Sequence, residues 1–230
     1  MTMSLRLISS MATKALLAEL ATIFEAQFPQ YRLEIESVGG VDAAQRVMAG
    51  ETFDGVILAS NAIDNLLAKQ LLVAGSRQDL VHSGVAAAVP LGAPVPDIAT
   101  VEALKQTVLS ATSLGYSTGP SGVELIKLFE RWGLHAQIAH KLVQAKAGVP
   151  VGALLARGEV QLGFQQMSEM LGVQGIQVLG PLPDAVQITT TFSGGVSVTS
   201  QHAQAVQALL AFWASPVTAA AKQRHGMTAA

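Results

Sequence analysis

A chain of 230 residues, half of them hydrophobic, has the material for one large buried core or two smaller ones. Only 13% of its residues are charged and the formal net charge is −2, which excludes a disordered chain and gives no electrostatic reason to expect nucleic acid. The absence of cysteine excludes disulfides, thiolate metal sites and cysteine nucleophiles together.

No targeting segment is visible. A secretory leader needs a basic start followed by an apolar run of roughly 7–15 residues. Here Met1–Ser10 leads directly into a segment holding Lys14 and Glu19. As written, the sequence predicts a cytoplasmic protein, or a periplasmic one if a leader has been removed. The weakly polar stretch Ser83–Val95 contains Pro90 and Pro94 and is too short to cross a bilayer, so no membrane insertion is expected.

In chain order, Leu5–Ser9 reads as a strand. From Met11 to Phe28 the residues Leu16, Leu17, Leu20, Ile23, Phe24 and Phe28 recur at helical spacing, and Pro29 ends the helix. Tyr31–Val38 alternates as a strand. Gly39–Gly40 breaks it, and a helix follows over Val41–Met48. Phe53–Ala59 is a buried strand, Asn61–Gln70 a helix and Leu80–Pro90 a strand. After a Pro/Gly-rich loop come helix Thr100–Leu109, strand Ser113–Tyr116, helix Ser121–Trp132 and strand Lys141–Gln144. Helix Val149–Arg157, strand Val160–Phe164, a short helix Gln166–Leu171 and strand Ile176–Leu179 follow. A long β-rich run over Val186–Thr199 precedes helices at Gln204–Ala214 and Pro216–His225. Strands alternating with helices predict an α/β fold with mixed, mainly parallel sheets. The two long β runs are read as crossing strands between two αβ lobes, with a ligand cleft between them. On that reading lobe 1 is 1–84 plus 195–230 and lobe 2 is 85–194.

Five places put small or polar residues where a strand ends or a helix begins: Ser9–Ser10, Gly39–Gly40, Ser117-Thr118-Gly119-Pro120-Ser121-Gly122, Gly148–Val149 and Gln165–Gln166. Helix starts leave backbone N–H groups unpaired and carry the positive end of the helix dipole, so they bind anions without basic side chains. Ligands of open α/β sheets sit at the carboxyl ends of the strands. Ser10 and Asp42 also serve as ordinary N-caps, and Gly39–Gly40 as an ordinary turn. Five such junctions at the same end of successive strands exceed what capping alone requires.

Catalytic signatures are sparse. There is no G-x-S-x-G elbow, and Gly115–Gly122 lacks the lysine of a phosphate loop. The histidines show no metal-ligand spacing except His135/His140, which at i,i+5 face two sides of a helix, and no metal or cofactor is expected. His82, Asp42 and Glu124 are the candidates for a general base. Each has a structural explanation: His82 lies in an apolar strand, and the two acids lie in first turns of helices. Glu169 is read in the same way, as an acid stabilised by a helix dipole. Asp54, ahead of a buried strand, is expected to tie a loop by hydrogen bonds.

The segments ISSMAT, ESVGGVDAAQRVMAGETFDGVILAS, GYSTGPSG, GVPVGALLARGEVQLGF and LLAFWASPVTAAAKQRHGM together resemble the periplasmic molybdate-binding proteins. More widely, they resemble type II periplasmic-binding-protein-like domains. The resemblance covers essentially the whole chain. It implies an oxyanion held by a serine after the first strand, here Ser10 beside Ser9, and by a small residue in a P-x-G helix start, here Ser121. It also implies a backbone amide near Gly148–Val149. Where that family has a second serine this chain has Gly39–Gly40, and where it has a tyrosine this chain has Gln165 or Gln166. The added room and amide donors suit a planar or larger carboxylate. The wider family includes an aconitate isomerase.

Two readings follow. In one the chain is a solute-binding domain for a small organic or inorganic anion, partnered by a transporter permease only if exported. In the other it is a cytosolic isomerase of an unsaturated polycarboxylate such as aconitate. The expected ligand-binding residues are Ser9, Ser10, Gly39, Gly40, Ser117, Thr118, Ser121, Gly122, Val149, Gln165 and Gln166.

Overall fold

The computed structural model describes residues 2–146 and 148–230. The chain divides into two compact units, one formed by Met1–Ser83 with Thr190–Ala230 and the other by Gly84–Thr189.

In the first unit, β1 (Met3–Ser10) passes through a 3-10 turn at Met11–Thr13 into α1 (Lys14–Gln27). Then come β2 (Tyr31–Val38), α2 (Gly40–Met48), β3 (Gly55–Ala59), α3 (Ser60–Ala68) and the first half of β4 (Gln78–Pro90). β2, β1 and β3 run parallel in that order, the arrangement that helical crossovers between successive strands produce. Strand alternation sorts their side chains into two cores. Leu5, Leu7 and Ile57 pack against Leu16, Leu20 and Phe24 of α1. Ile8, Val56 and Leu58 pack on the opposite face, against Ala43 and Val47 of α2 and Ile63 and Leu66 of α3. Asp54 ties this sheet at the other end of β3, accepting from the Arg6 backbone N–H at 2.9 Å and the Ser200 hydroxyl at 2.6 Å.

In the second unit β4 continues, followed by α4 (Val101–Ser110), β5 (Leu114–Tyr116), α5 (Pro120–Arg131) and the one-turn α6 (His135–Ile138). β6 (Leu142–Gln144), α7 (Val151–Ala156), β7 (Leu162–Gln166), α8 (Met167–Met170) and β8 (Ile176–Pro181) complete it. β6, β5 and β7 are parallel, while β4 runs antiparallel between β7 and β8. Val85, Ala87 and Val89 face Leu104, Leu125 and Phe129, whereas Ala86 and Ala88 face α7. α7 lies very close to the sheet. A Cβ on Gly163 would stand 2.7 Å from Val151 Cγ1, and one on Gly115 would stand 3.0 Å from the same atom. Glycine at both places is what lets the start of α7 reach β5 and β7.

The chain returns to the first unit through β9 (Thr189–Val196), α9 (Ala203–Ala214), α10 (Ala219–Arg224) and β10 (Met227–Ala229). β9 pairs antiparallel with β3, and β10 with β4. The β run expected from Val186 starts only at Thr189, because Asp184–Val186 coils into a 3-10 turn behind Pro183. The expected closing helix from Pro216 to His225 is a 3-10 turn followed by α10, and β10 was not foreseen at all. No helix of the described residues is long and apolar enough to cross a membrane.

Candidate functional site

The register of the first unit sets Ser9 beside Ser37 and Ile57, and Ser10 beside Val38. The turns after β1, β2 and β3 therefore emerge along one edge of the sheet. Ser9 and Ser10 point to opposite faces of β1. Ser9 is fully buried, its hydroxyl 2.7 Å from that of Ser37. Among the described residues the Ser10 hydroxyl has only a long contact of 3.4 Å, to Thr13 Oγ1. Gly40 lies against it, since a Cβ there would stand 3.6 Å from Ser10 Cβ and, apart from its own helix and chain neighbours, within 4 Å of no other described atom. α2 begins after Gly39 and α3 after Ala59, two residues whose side chains cannot accept from the first N–H groups of a helix. The edge thus combines hydroxyls, a glycine gap and two helix starts, none with a basic side chain. Asp42 is exposed and lies over Gly39, as an acid in a first turn does.

The corresponding edge of the second unit is built differently. After β5, Ser117–Gly119 turns into α5, with Pro120 at its first position. The hydroxyls of Ser117 and Ser121 lie 3.2 Å apart, and Thr118 is exposed. Gly122 has a reason inside the protein: a Cβ there would fall 1.9 Å from the Ser117 carbonyl oxygen. The Val149 N–H is engaged in its own turn, donating to Lys146 O at 2.9 Å. The Val151 N–H, at the start of α7, donates to Gln165 Oε1 at 2.7 Å.

That bond orients the buried Gln165 amide. With its oxygen committed to Val151, its NH2 is left to donate, and it does so to the Glu169 carboxylate. Glu169 belongs to α8, immediately after β7. The elements packed on α8 are α7 (VGALLA), β7 (LGFQQ) and β8 (IQVLGP), and none carries a charged side chain. Burial without a countercharge raises the Glu169 carboxyl to about 7, and the bond from Gln165 offsets this only in part. Gln166 is buried opposite Val85 at the end of the same strand.

The other base candidates lie elsewhere or have partners. The His82 ring is 2.9 Å from Thr191 Oγ1, and Glu124 pairs with Lys127 on the surface of α5. His225 is half-buried and pairs with Glu19 at 2.8 Å. Arg6 and Arg46 are held by Glu36 and Glu51, and Arg32 by Glu25. No group of three or more metal-ligating side chains occurs among the described residues. Sequence reasoning missed the Ala59–Ser60 junction and the setting of Glu169. The first was legible in VILASN, where an apolar strand runs directly into a helix. The second was not.

Two α/β units crossed twice by one chain, with helices starting at the strand ends, define the type II periplasmic-binding-protein fold. A solved example is the periplasmic molybdate-binding protein of Azotobacter vinelandii, with a TM-score of 0.81 and 14% identity, covering 97% of this chain and 98% of that one. The sulfate-binding protein of Mycobacterium tuberculosis is another, with a TM-score of 0.77 and 14% identity over 98% of this chain and 86% of that one. These likenesses establish the fold. Residues 5–228 match the family described as bacterial extracellular solute-binding protein, and the chain belongs to it. An aconitate isomerase from a Pseudomonas species is 43% identical over 183 residues, which are 79% of this chain and 70% of that protein.

Proposed function

We propose that this chain binds an unsaturated tricarboxylate of the aconitate kind and shifts its double bond. The observation that carries the reading is that each unit by itself ends its strands in uncharged groups suited to carboxylate oxygens, Ser10 and the open Gly39–Gly40 turn in the first and Ser121 and Gln166 in the second. The 43% identity to an aconitate isomerase supports the substrate class. The reaction is a 1,3 proton shift. A C–H bond breaks at the methylene beside the double bond, the electron pair spreads over an allylic carboxylate, and a C–H bond forms at the far alkene carbon. Helix starts and amides stabilise the charge that develops on the carboxylate. Atoms and electrons balance without an oxidant or reductant.

A second reading, solute binding without turnover, is favoured by the family itself. Incubation with trans-aconitate in D2O, followed by NMR, separates the two. Conversion to the cis isomer, with deuterium uptake where protons are exchanged with solvent, is expected for the isomerase. Tight binding of molybdate, sulfate or citrate with no conversion of any polycarboxylate would leave the binding protein alone standing.

A further inference from the structure

We infer that Glu169 is the group that takes and returns the proton, and that Gln165 is its positioning residue; this rests on the isomerase reading above. The geometry has three parts. Glu169 follows β7 at the edge where Gln165, Gln166 and the start of α7 meet. Its carboxylate receives the Gln165 amide, whose orientation is fixed by the Val151 N–H. No arginine, lysine or acid lies on the elements packed against α8, so no ion pair holds the group in one charge state.

Four other acids are unsuited to the task. Glu51, Glu36 and Glu159 each face an arginine and stay ionised, and Asp79 is held ionised by the Ser193 hydroxyl and Arg77. A shuttle must gain and lose a proton at comparable cost, which is the condition near neutrality that burial gives Glu169. In the step, the carboxylate of Glu169 removes a methylene proton and becomes a carboxylic acid. It then delivers that proton to the other end of the allylic system and is regenerated, so a single group serves as base and acid.

The test uses the whole chain with trans-aconitate as the probe. Glu169→Gln is expected to fold and to retain a thermal shift with trans-aconitate. Its turnover is expected to fall by ~10²–10⁴-fold, with deuterium uptake lost to the same extent. In the wild type, kcat/KM should rise with pH around a midpoint near 7. Gln165→Leu, which removes a bond favouring the carboxylate, should move that midpoint upward, a readout that a merely structural role for Gln165 would leave in place. If Glu169→Gln does not fold, Glu169→Asp replaces it: a reduced rate with a displaced midpoint supports the assignment. Wild-type turnover in Glu169→Gln, or in Glu169→Asp with an unmoved midpoint, overturns the inference and leaves the isomerase reading intact. A wild type that isomerises no polycarboxylate overturns both.

Discussion

The carboxyl edge of β1–β3 and the carboxyl edge of β5–β7 share one construction and differ in chemistry. Both present serines at the junction of a parallel strand and a helix. The first adds an open glycine turn and keeps its acid, Asp42, in water. The second adds two buried glutamines and keeps its acid, Glu169, partly buried beneath an amide. On the proposed function, the first holds negative charge and the second holds it and exchanges a proton. A parallel contrast separates Glu169 from Glu51: the bonds from Arg46 hold Glu51 at about 2, while burial with no countercharge holds Glu169 at about 7. The chemistry of a carboxylate here is set by which elements pack around it.

The most disruptive way to probe the comparison is through its glycines. Gly122→Ala drives a Cβ to within 1.9 Å of a backbone carbonyl and should lower unfolding stability by about 3 kcal/mol in urea titrations. Gly40→Ala, whose Cβ meets only Ser10 Cβ at 3.6 Å, should leave stability within about 1 kcal/mol of wild type. Weakened polycarboxylate binding in Gly40→Ala, without loss of stability, would mark that gap as ligand space. Binding at full strength in Gly40→Val would remove Gly40 from the site.

Next in size is a pH-dependent effect. The folded-state value of Glu169, about 7, lies above the usual 4.5, so the folded state holds the proton more tightly than the unfolded chain. Its contribution to stability is therefore complete below 4.5 and is lost as pH rises through 7. Glu169→Gln abolishes that loss. At pH 8 it should unfold with about 2–3 kcal/mol more stability than wild type, and near pH 4 with little difference. The Arg46–Glu51 cluster acts with the opposite sign, since its contribution is lost only as pH falls towards 2.

Smaller effects are expected from the serines. Ser10→Ala and Ser121→Ala should each weaken citrate or trans-aconitate binding by about 1–3 kcal/mol, measured by calorimetry. A loss in one variant only would assign binding to that unit's edge. Arg46→Ala is the smallest perturbation. Its guanidinium is committed to Glu36 and Glu51 and stacks over Phe53, so anion affinity should be unchanged. A large loss of affinity in this variant would place the ligand elsewhere.

Much of this was legible in the sequence for a simple reason. The strands and long helices carry their periodicity in consecutive residues, and Leu16, Leu17, Leu20 and Phe24 are buried as their spacing requires. The role of Asp54 as a tie was legible too, from an acid ahead of a buried strand. α6 and β10, of four and three residues, were not. Val149 and Gly122 read as ligand-facing from their position at helix starts. Their bonds and close contacts also give each a part in its own turn, which depends on Lys146 and Ser117 folding back.

By itself, then, the sequence determined the alternation of strands and helices, the face each buries, and the serine, glycine and glutamine junctions, because these follow from side-chain periodicity and local backbone freedom. Only the tertiary structure decided the chemistry of the acids. Glu51 and Glu169 are the same residue type, and although Arg46 and Gln165 lie only five and four positions away, the sequence does not say that their side chains turn onto the carboxylates. Folding carries Arg46 of α2 back onto the one, and closes the uncharged faces of α7, β7 and β8 around the other. Desolvation and ion pairing act through space, and only the completed packing specifies them.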